Sequence, residues 1–340
     1  MIYKFLNIKN SLRNLTDEEF ETLLPQLATE LEQVSFYSKY SDVELKTDWM
    51  KLVAWDVKSD SMASTQRLGM KLCEHFFPNF YDIEDKKGNS FKSLWTAKNL
   101  ERVLRWNRKS HSTPYLSEIK RGIYFNFGLP KSTMYRPQMA KMVVTNLGGV
   151  SVFDPCAGWG GRMLGSIAAG AECYTAFEPN TETYENLLRL IDFLCLHDKV
   201  RIYKDSALNM KNYGIKDIDV VLTSPPYFDL EVYSREDKQS ITGCSSYKMW
   251  VDKFLEPLVS GAIETLKPNG WSCWNVHNVG KMKMIDDIAH IHTQFLSKKV
   301  FSVTSSRRQA NQNTVTKNQK NSDVTICYSR QTLPQTERFF

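Results

Sequence analysis

"VFDPCAGWGGR", residues 152–162, decides how this chain is read. Val152 and Phe153 continue an apolar run, Asp154 and Pro155 stop it, and glycines follow at 158, 160 and 161. The next residues, "GRMLGSIAAGA", carry helical apolar spacing. A strand ending in an acid and turning through glycine into a helix opens a βαβ unit. Its carboxyl end is where open α/β sheets bind ligands. No Lys-Ser/Thr follows the glycines, which excludes a Walker phosphate loop, and the absence of GxGxxG disfavours a nicotinamide dinucleotide. A glycine turn alone fits any sharp corner; the leading Asp-Pro narrows it.

Working outward, the pattern repeats. "ECYTAFEPN", "KVRIYKDSA", "DIDVVLTSPPY" and "GWSCWNVHNV" are strand-like, and "TETYENLLRLIDFLCL", "YKMWVDKFLEPLVSGAIETL" and "MIDDIAHIHTQF" are helical. The close predicts a strand pair, "KKVFSVTSS" and "SDVTICYSR", around a polar loop at 307–322. Strands alternating with helices predict right-handed βαβ units, a mostly parallel sheet and an antiparallel hairpin at its end. Upstream, the chain reads mainly as helices. "LTDEEFETLLPQLATELEQV" opens with Thr16 and Glu19 at capping-box spacing. "SMASTQRLGMKLCEHFF" and "SLWTAKNLERVLRWNRK" are also helical in pattern. The expected organisation is a helical region over 1–123, an α/β domain over 124–332 and a tail over 333–340.

Composition bounds the rest. At 340 residues, with 42% hydrophobic and 24% charged residues, the chain has the make-up of an ordinary globular protein. No apolar run reaches membrane length and the first twenty residues lack a secretory pattern, so a cytoplasmic protein is expected, with no membrane partner. Seven scattered cysteines without a CxxC, and histidines without ligand spacing, predict reduced thiols and no metal site. The net charge of +6 equals the surplus of residues 281–340 alone, where ten Lys/Arg face four Asp/Glu. Arg307, Arg308, Lys317 and Lys320 there are candidates for phosphate contact, and a solvated basic surface reads the same way. The segment holding Arg102, Arg105, Trp106, Arg108, Lys109 and His111 fits a nucleic-acid backbone or a plain helix C-terminus. Oligomeric state is not legible.

Four segments build a candidate site. Behind the turn of Asp154, Pro155, Cys156, Ala157, Gly158 and Gly160 comes Glu178, 24 residues on, followed by Pro179. A nucleoside-binding sheet places a carboxylate there for ribose hydroxyls. Asp205, with Ser206 and Ala207, ends the next strand, where a carboxylate can accept from an adenine amine. Finally Thr223, Ser224, Pro225, Pro226 and Tyr227 end a fourth strand. Two prolines remove two backbone donors and fix two φ angles, so carbonyls are held without strand partners beside a flat ring. A planar ligand with an exocyclic amine fits that corner; so does a rigid turn that merely buries a tyrosine.

"DPCAGWGGR" followed about 70 residues later by "TSPPY" resembles the class I S-adenosylmethionine-dependent DNA amino-methyltransferases. The resemblance covers roughly 124–330, and "MYRPQMAKMVV", with Tyr135 and Arg136, resembles the segment covering the methionine end of the cofactor. It implies a Rossmann-like methyltransferase fold with a seven-stranded sheet, S-adenosyl-L-methionine as cofactor, and DNA as partner, double-stranded with base flipping or single-stranded. It makes Ser224, Pro225, Pro226 and Tyr227 the catalytic corner, with serine favouring N4 of cytosine over N6 of adenine. Phe228, Asp229 and Glu231 just beyond become candidates for contact with the base. An RNA base or protein-glutamine amino-methyltransferase, or a cofactor-binding module without catalysis, are the alternatives.

Overall fold

A computed structural model describes residues 1–63, 66–110, 113–129, 132–304 and 323–329. The chain divides into two units. One comprises Met1–Lys39, Pro78–Thr133 and Asp229–Arg235, the other Tyr40–Phe77, Met134–Phe228 and Glu236–Phe340.

The first unit is helical. Thr16 caps Asp17–Glu32 by the expected reciprocal bonds with Glu19. Its apolar face, Phe20, Leu24, Leu27 and Leu31, is buried with Leu100, Val103, Leu104, Ile119 and Ile123 of helices Ala97–Lys109 and Leu116–Phe127. The basic segment in Ala97–Lys109 is partly spent inside this unit. Arg105 pairs with Glu21 at 2.7 Å, and Arg108 binds Asp17 at 2.7 Å and the carbonyls of Leu12 and Leu15 at 3.0 and 2.8 Å.

The second unit holds the sheet. Its strands are β1 Ser61–Ala63, β2 Ser151–Asp154, β3 Cys173–Phe177, β4 Val200–Tyr203, β5 Ile218–Thr223, β6 Leu266–Asn275, β7 Ser297–Thr304 and β8 Asp323–Ser329. They lie in the order β1-β7-β8-β6-β5-β2-β3-β4. β8 runs antiparallel between β6 and β7 and every other pairing is parallel, as the alternation of elements predicts for a Rossmann-like α/β fold. Among the described residues the sheet has eight strands where seven were expected. The extra one, β1, lies in a stretch whose apolar spacing predicts helix throughout. The helix there begins only at Met70, because three residues pair with the edge strand β7 and tertiary pairing overrides a weak local preference.

Residues 40–77 therefore belong with the sheet, although composition groups them with the helical N-terminal region. Lys141 helps fasten them: its buried ammonium donates to the carbonyls of Leu52, Val53 and Trp55 at 3.0, 2.7 and 2.6 Å, closing the C-terminal end of helix Asp42–Ala54. The predicted helix over 247–266 is continuous from 247 to 264, with Leu266 already opening β6, and contains one π turn, Val251–Leu255. Pro257 lacks an N–H and crowds the carbonyl four residues back, and the wider turn relieves both.

Strand order fixes where a ligand goes. β2 has β3 on one side and β5 on the other, so the winding reverses between β2 and β5. The carboxyl ends at such a reversal diverge and leave a crevice. The glycine turn follows β2 and the diproline corner follows β5, so both segments stand at that point.

Candidate active site

Asp154, the last residue of β2, has no exposed surface. Its Oδ1 accepts from the Cys156 N–H at 3.1 Å and the Thr223 hydroxyl at 2.7 Å. Its Oδ2 accepts from Arg162 Nε at 2.7 Å and the Tyr174 hydroxyl at 2.6 Å. Four donors saturate the carboxylate, so Asp154 organises the site from beneath. Arg162 also donates to the carbonyls of Cys156 and Ala157, stitching the turn from within. Burial works against the guanidinium charge, and Asp154 and Tyr174 more than restore it, holding Arg162 above its ordinary pKa.

The turn itself needs glycine. Gly158 sits at φ +56°, in the left-handed region. At Gly161, a Cβ would lie 2.0 Å from the Tyr135 carbonyl oxygen, so the first helical turn passes directly against the 135–137 backbone. Cys156 is a packing residue here: burial, then the neighbouring Asp154, pushes its thiol pKa far up, away from the thiolate a nucleophile needs.

Glu178, just past β3, is buried and accepts the N–H groups of Gly158 at 3.1 Å and Asn180 at 2.9 Å. Burial raises its pKa to about 7, against the two N–H groups that lower it. Pro179 is half-buried beside it. Asp205, just past β4, is the opposite case. Burial raises its pKa, but Lys238 Nζ at 2.7 Å, Asn209, the Tyr213 hydroxyl at 2.9 Å and the Ser206 N–H outweigh this and hold it at about 2. Ser206 caps the following turn, in which Ala207 is buried. One segment ties the two strand ends: Glu236 accepts from the Thr181 N–H at 3.1 Å and hydroxyl at 3.0 Å, two residues before Lys238 reaches Asp205.

The corner after β5 is clamped by the end of β6. The Ser224 hydroxyl donates to the Asn275 carbonyl at 3.0 Å, so its proton is committed and its oxygen presents lone pairs. Pro225 is buried and Pro226 half-buried, beyond the last ladder residue, Thr223. The Tyr227 hydroxyl lies 2.8 Å from His277 Nδ1 and accepts the His277 N–H at 3.0 Å. Phe228 turns inward at φ +35° and is buried near Tyr247 and Trp250, ring centroids 6.2 Å from each.

A continuous circuit joins the two halves. Ser224 reaches the Asn275 main chain; Asn275 Nδ2 lies 3.4 Å from Thr325 Oγ1, which is 3.1 Å from the Tyr135 hydroxyl. The Tyr135 ring lies under the Arg162 guanidinium at 5.2 Å, and Arg162 returns through Asp154 to Thr223. Glycine turn and diproline corner are thus held by one network rather than merely being near each other. Arg136 precedes helix Pro137–Leu147 without a side-chain cap bond to it and donates to the Gln66 carbonyl at 3.3 Å.

The remaining candidates fall elsewhere. Asp229 and Glu231 belong to the helical unit, where Asp229 pairs with Lys86 at 2.7 Å and Glu231 accepts from the Tyr233 hydroxyl. Arg307, Arg308, Lys317 and Lys320 lie outside the described residues. Sequence reasoning did not single out Tyr174, Asn275, His277, Thr325 or Lys238. Each reaches the site through strand pairing or a loop contact, and only Arg162, inside the quoted glycine turn, carried a local signal. Among the described residues no cluster of metal-ligating side chains is found, and no helix is long and apolar enough to cross a membrane.

No protein-family profile matches the chain, nor does any curated protein. Among solved structures it is similar to an rRNA methylase from Streptococcus thermophilus, at 11% identity over 59% of this chain and all of that one, TM-score 0.39. It is also similar to a SAM-dependent O-methyltransferase from Thermotoga maritima, at 11% identity over 62% and 71% of the two chains, TM-score 0.39. A methyltransferase from Geobacter sulfurreducens gives 13% identity over 62% and 86%, TM-score 0.38.

Proposed function

We propose that this protein is an S-adenosylmethionine-dependent DNA methyltransferase that modifies the exocyclic amine of a flipped or single-stranded base, N4 of cytosine in preference to N6 of adenine. The observation that carries the reading is the commitment of the Ser224 proton to the Asn275 carbonyl. Ser224 Oγ then offers only acceptor capacity, as does the Pro225 carbonyl, and a pair of acceptors suits an –NH2 group rather than a keto oxygen.

The residues fit the cofactor by the chemistry of their donor and acceptor sets. Glu178 holds a buried pair of carboxylate oxygens suited to the ribose diol, and Asp205 stands at the next strand end, suited to the adenine amine once Lys238 yields it. Tyr135 and Arg136 would hold the methionine end. When bound, S-adenosylmethionine supplies an electrophilic sulfonium methyl group.

The protein's part is positioning. An aromatic amine is a weak nucleophile because its lone pair is delocalised into the ring. Ser224 Oγ and the Pro225 carbonyl, accepting both N–H bonds, turn that lone pair out of conjugation, and their fixed dipoles stabilise the positive charge the nitrogen gains. Transfer would form the N–C bond while the sulfonium's bond to that methyl breaks to leave a neutral thioether, and the nitrogen's surplus proton, hydrogen-bonded to one of these two oxygens, would pass to water, so no strong base is needed. A base within a duplex cannot reach such a pocket, hence the flipping.

The test is incubation of the purified protein with tritiated cofactor and DNA, RNA or protein, followed by mass spectrometry of DNA nucleosides. The expected product is N4-methylcytosine in DNA. Label confined to RNA or protein would overturn the DNA assignment, and N6-methyladenine alone would overturn the cytosine preference.

A further inference from the structure

We infer that His277 is a positioning residue that fixes the angle of the Tyr227 ring against the target base; the inference rests on the amine-transfer reading of the corner. Three contacts converge on that ring. The phenol oxygen accepts the His277 main-chain N–H at 3.0 Å. The same oxygen lies 2.8 Å from His277 Nδ1. The two rings approach to 4.7 Å between centroids, with planes inclined at 39°. The main-chain N–H takes one phenol lone pair, and we assign the phenol proton to the contact with Nδ1, which requires the imidazole tautomer protonated on Nε2.

The place of His277 in the fold makes this more than an incidental contact. It lies two residues past the end of β6, whose last residue, Asn275, takes the Ser224 proton. One three-residue run therefore sets both polar groups of the corner: Ser224 Oγ for the amine and the Tyr227 ring for the base plane. On the other side of the tyrosine, Pro226 has its φ fixed and Phe228 is buried in a left-handed turn, so the main chain leaves the ring few alternatives. His277 itself is exposed, so burial of the imidazole does not account for a histidine at this position.

The experiment compares wild type, His277→Ala, His277→Asn, Tyr227→Phe and the Ala/Phe double variant in steady-state transfer to a DNA oligonucleotide, with cofactor affinity measured by calorimetry. Loss of one neutral hydrogen bond predicts a rise in KM for DNA of about three- to tenfold in His277→Ala, most of the change lying in KM rather than kcat. Cofactor affinity should stay at the wild-type value. Asparagine also carries an acceptor at its δ1 position and should restore KM to within about twofold. Because Tyr227→Phe removes the acceptor of the His277 main-chain N–H as well as the imidazole contact, it should raise KM at least as much as His277→Ala, and the double variant should be no worse than Tyr227→Phe alone. A wild-type KM in His277→Ala, or two effects that multiply in the double variant, would overturn the inference while leaving the parent reading intact. Wild-type protein that transfers no label to any DNA would sink the parent reading, and this inference with it.

Discussion

Replacing Asp154 by asparagine removes a charge from the most heavily used acceptor in the site. The carboxylate takes donors on both oxygens: Thr223 and Cys156 on one, Arg162 and Tyr174 on the other. An asparagine side chain must turn its –NH2 toward one of those pairs, leaving two donors without an acceptor. It also leaves Arg162, only 5% exposed, without its counter-charge. Breaking a buried ion pair from one side costs about 3–5 kcal/mol. For a unit of this size each kcal/mol shifts the melting midpoint by roughly 2–4 °C, so the expected fall is about 6–20 °C. The assay is thermal unfolding followed by near-ultraviolet circular dichroism, with urea unfolding as a second measure. If the orphaned cation is the main cost, Asp154→Asn with Arg162→Met should recover about half of the loss. A single variant that melts within about 2 °C of wild type, or a double variant no better than the single, would refute this account of the buried pair.

Two further outcomes follow from the same geometry. In Gly161→Ala, the new Cβ would meet a backbone oxygen at 2.0 Å, and since neither main-chain segment can yield cheaply we expect a loss of about 3 kcal/mol or more in urea unfolding; an unchanged midpoint would show that the 135–137 segment gives way. For Glu178, burial raises the folded pKa from 4.5 to about 7, so the folded state keeps a proton that the unfolded state has released. Its contribution to stability is full below pH 4.5 and is lost as pH rises through 7, by about 3 kcal/mol in all. The stability difference between wild type and Glu178→Gln, measured by urea unfolding from pH 4.5 to 7.5, should fall by about that amount, and a flat difference would contradict it. Buried, neutral His292, whose pKa burial lowers to about 4, contributes with the opposite slope and cancels in that difference.

The sequence by itself determined the elements and the two corners. Alternating strands and helices set the α/β class, and the glycines after Asp154 and the prolines after Thr223 marked two chain turns that few other residues could make. Those signals are local: backbone dihedral limits and burial periodicity act within a few residues, and so they are written in a few residues. Only the tertiary structure decided which turns meet. The neighbourhood of β2 and β5 depends on strand order, and the circuit from Ser224 through Asn275, Thr325, Tyr135 and Arg162 to Asp154 crosses contacts up to 190 residues apart in the chain. The same holds for β1, three residues with no strand signal of their own that pair because β7 offers an open edge. It holds too for Phe228, an aromatic next to the corner whose backbone is left-handed and whose buried ring lies 6.2 Å from those of Tyr247 and Trp250. A side chain's partners are fixed by where other segments arrive, and no stretch of sequence carries that information alone.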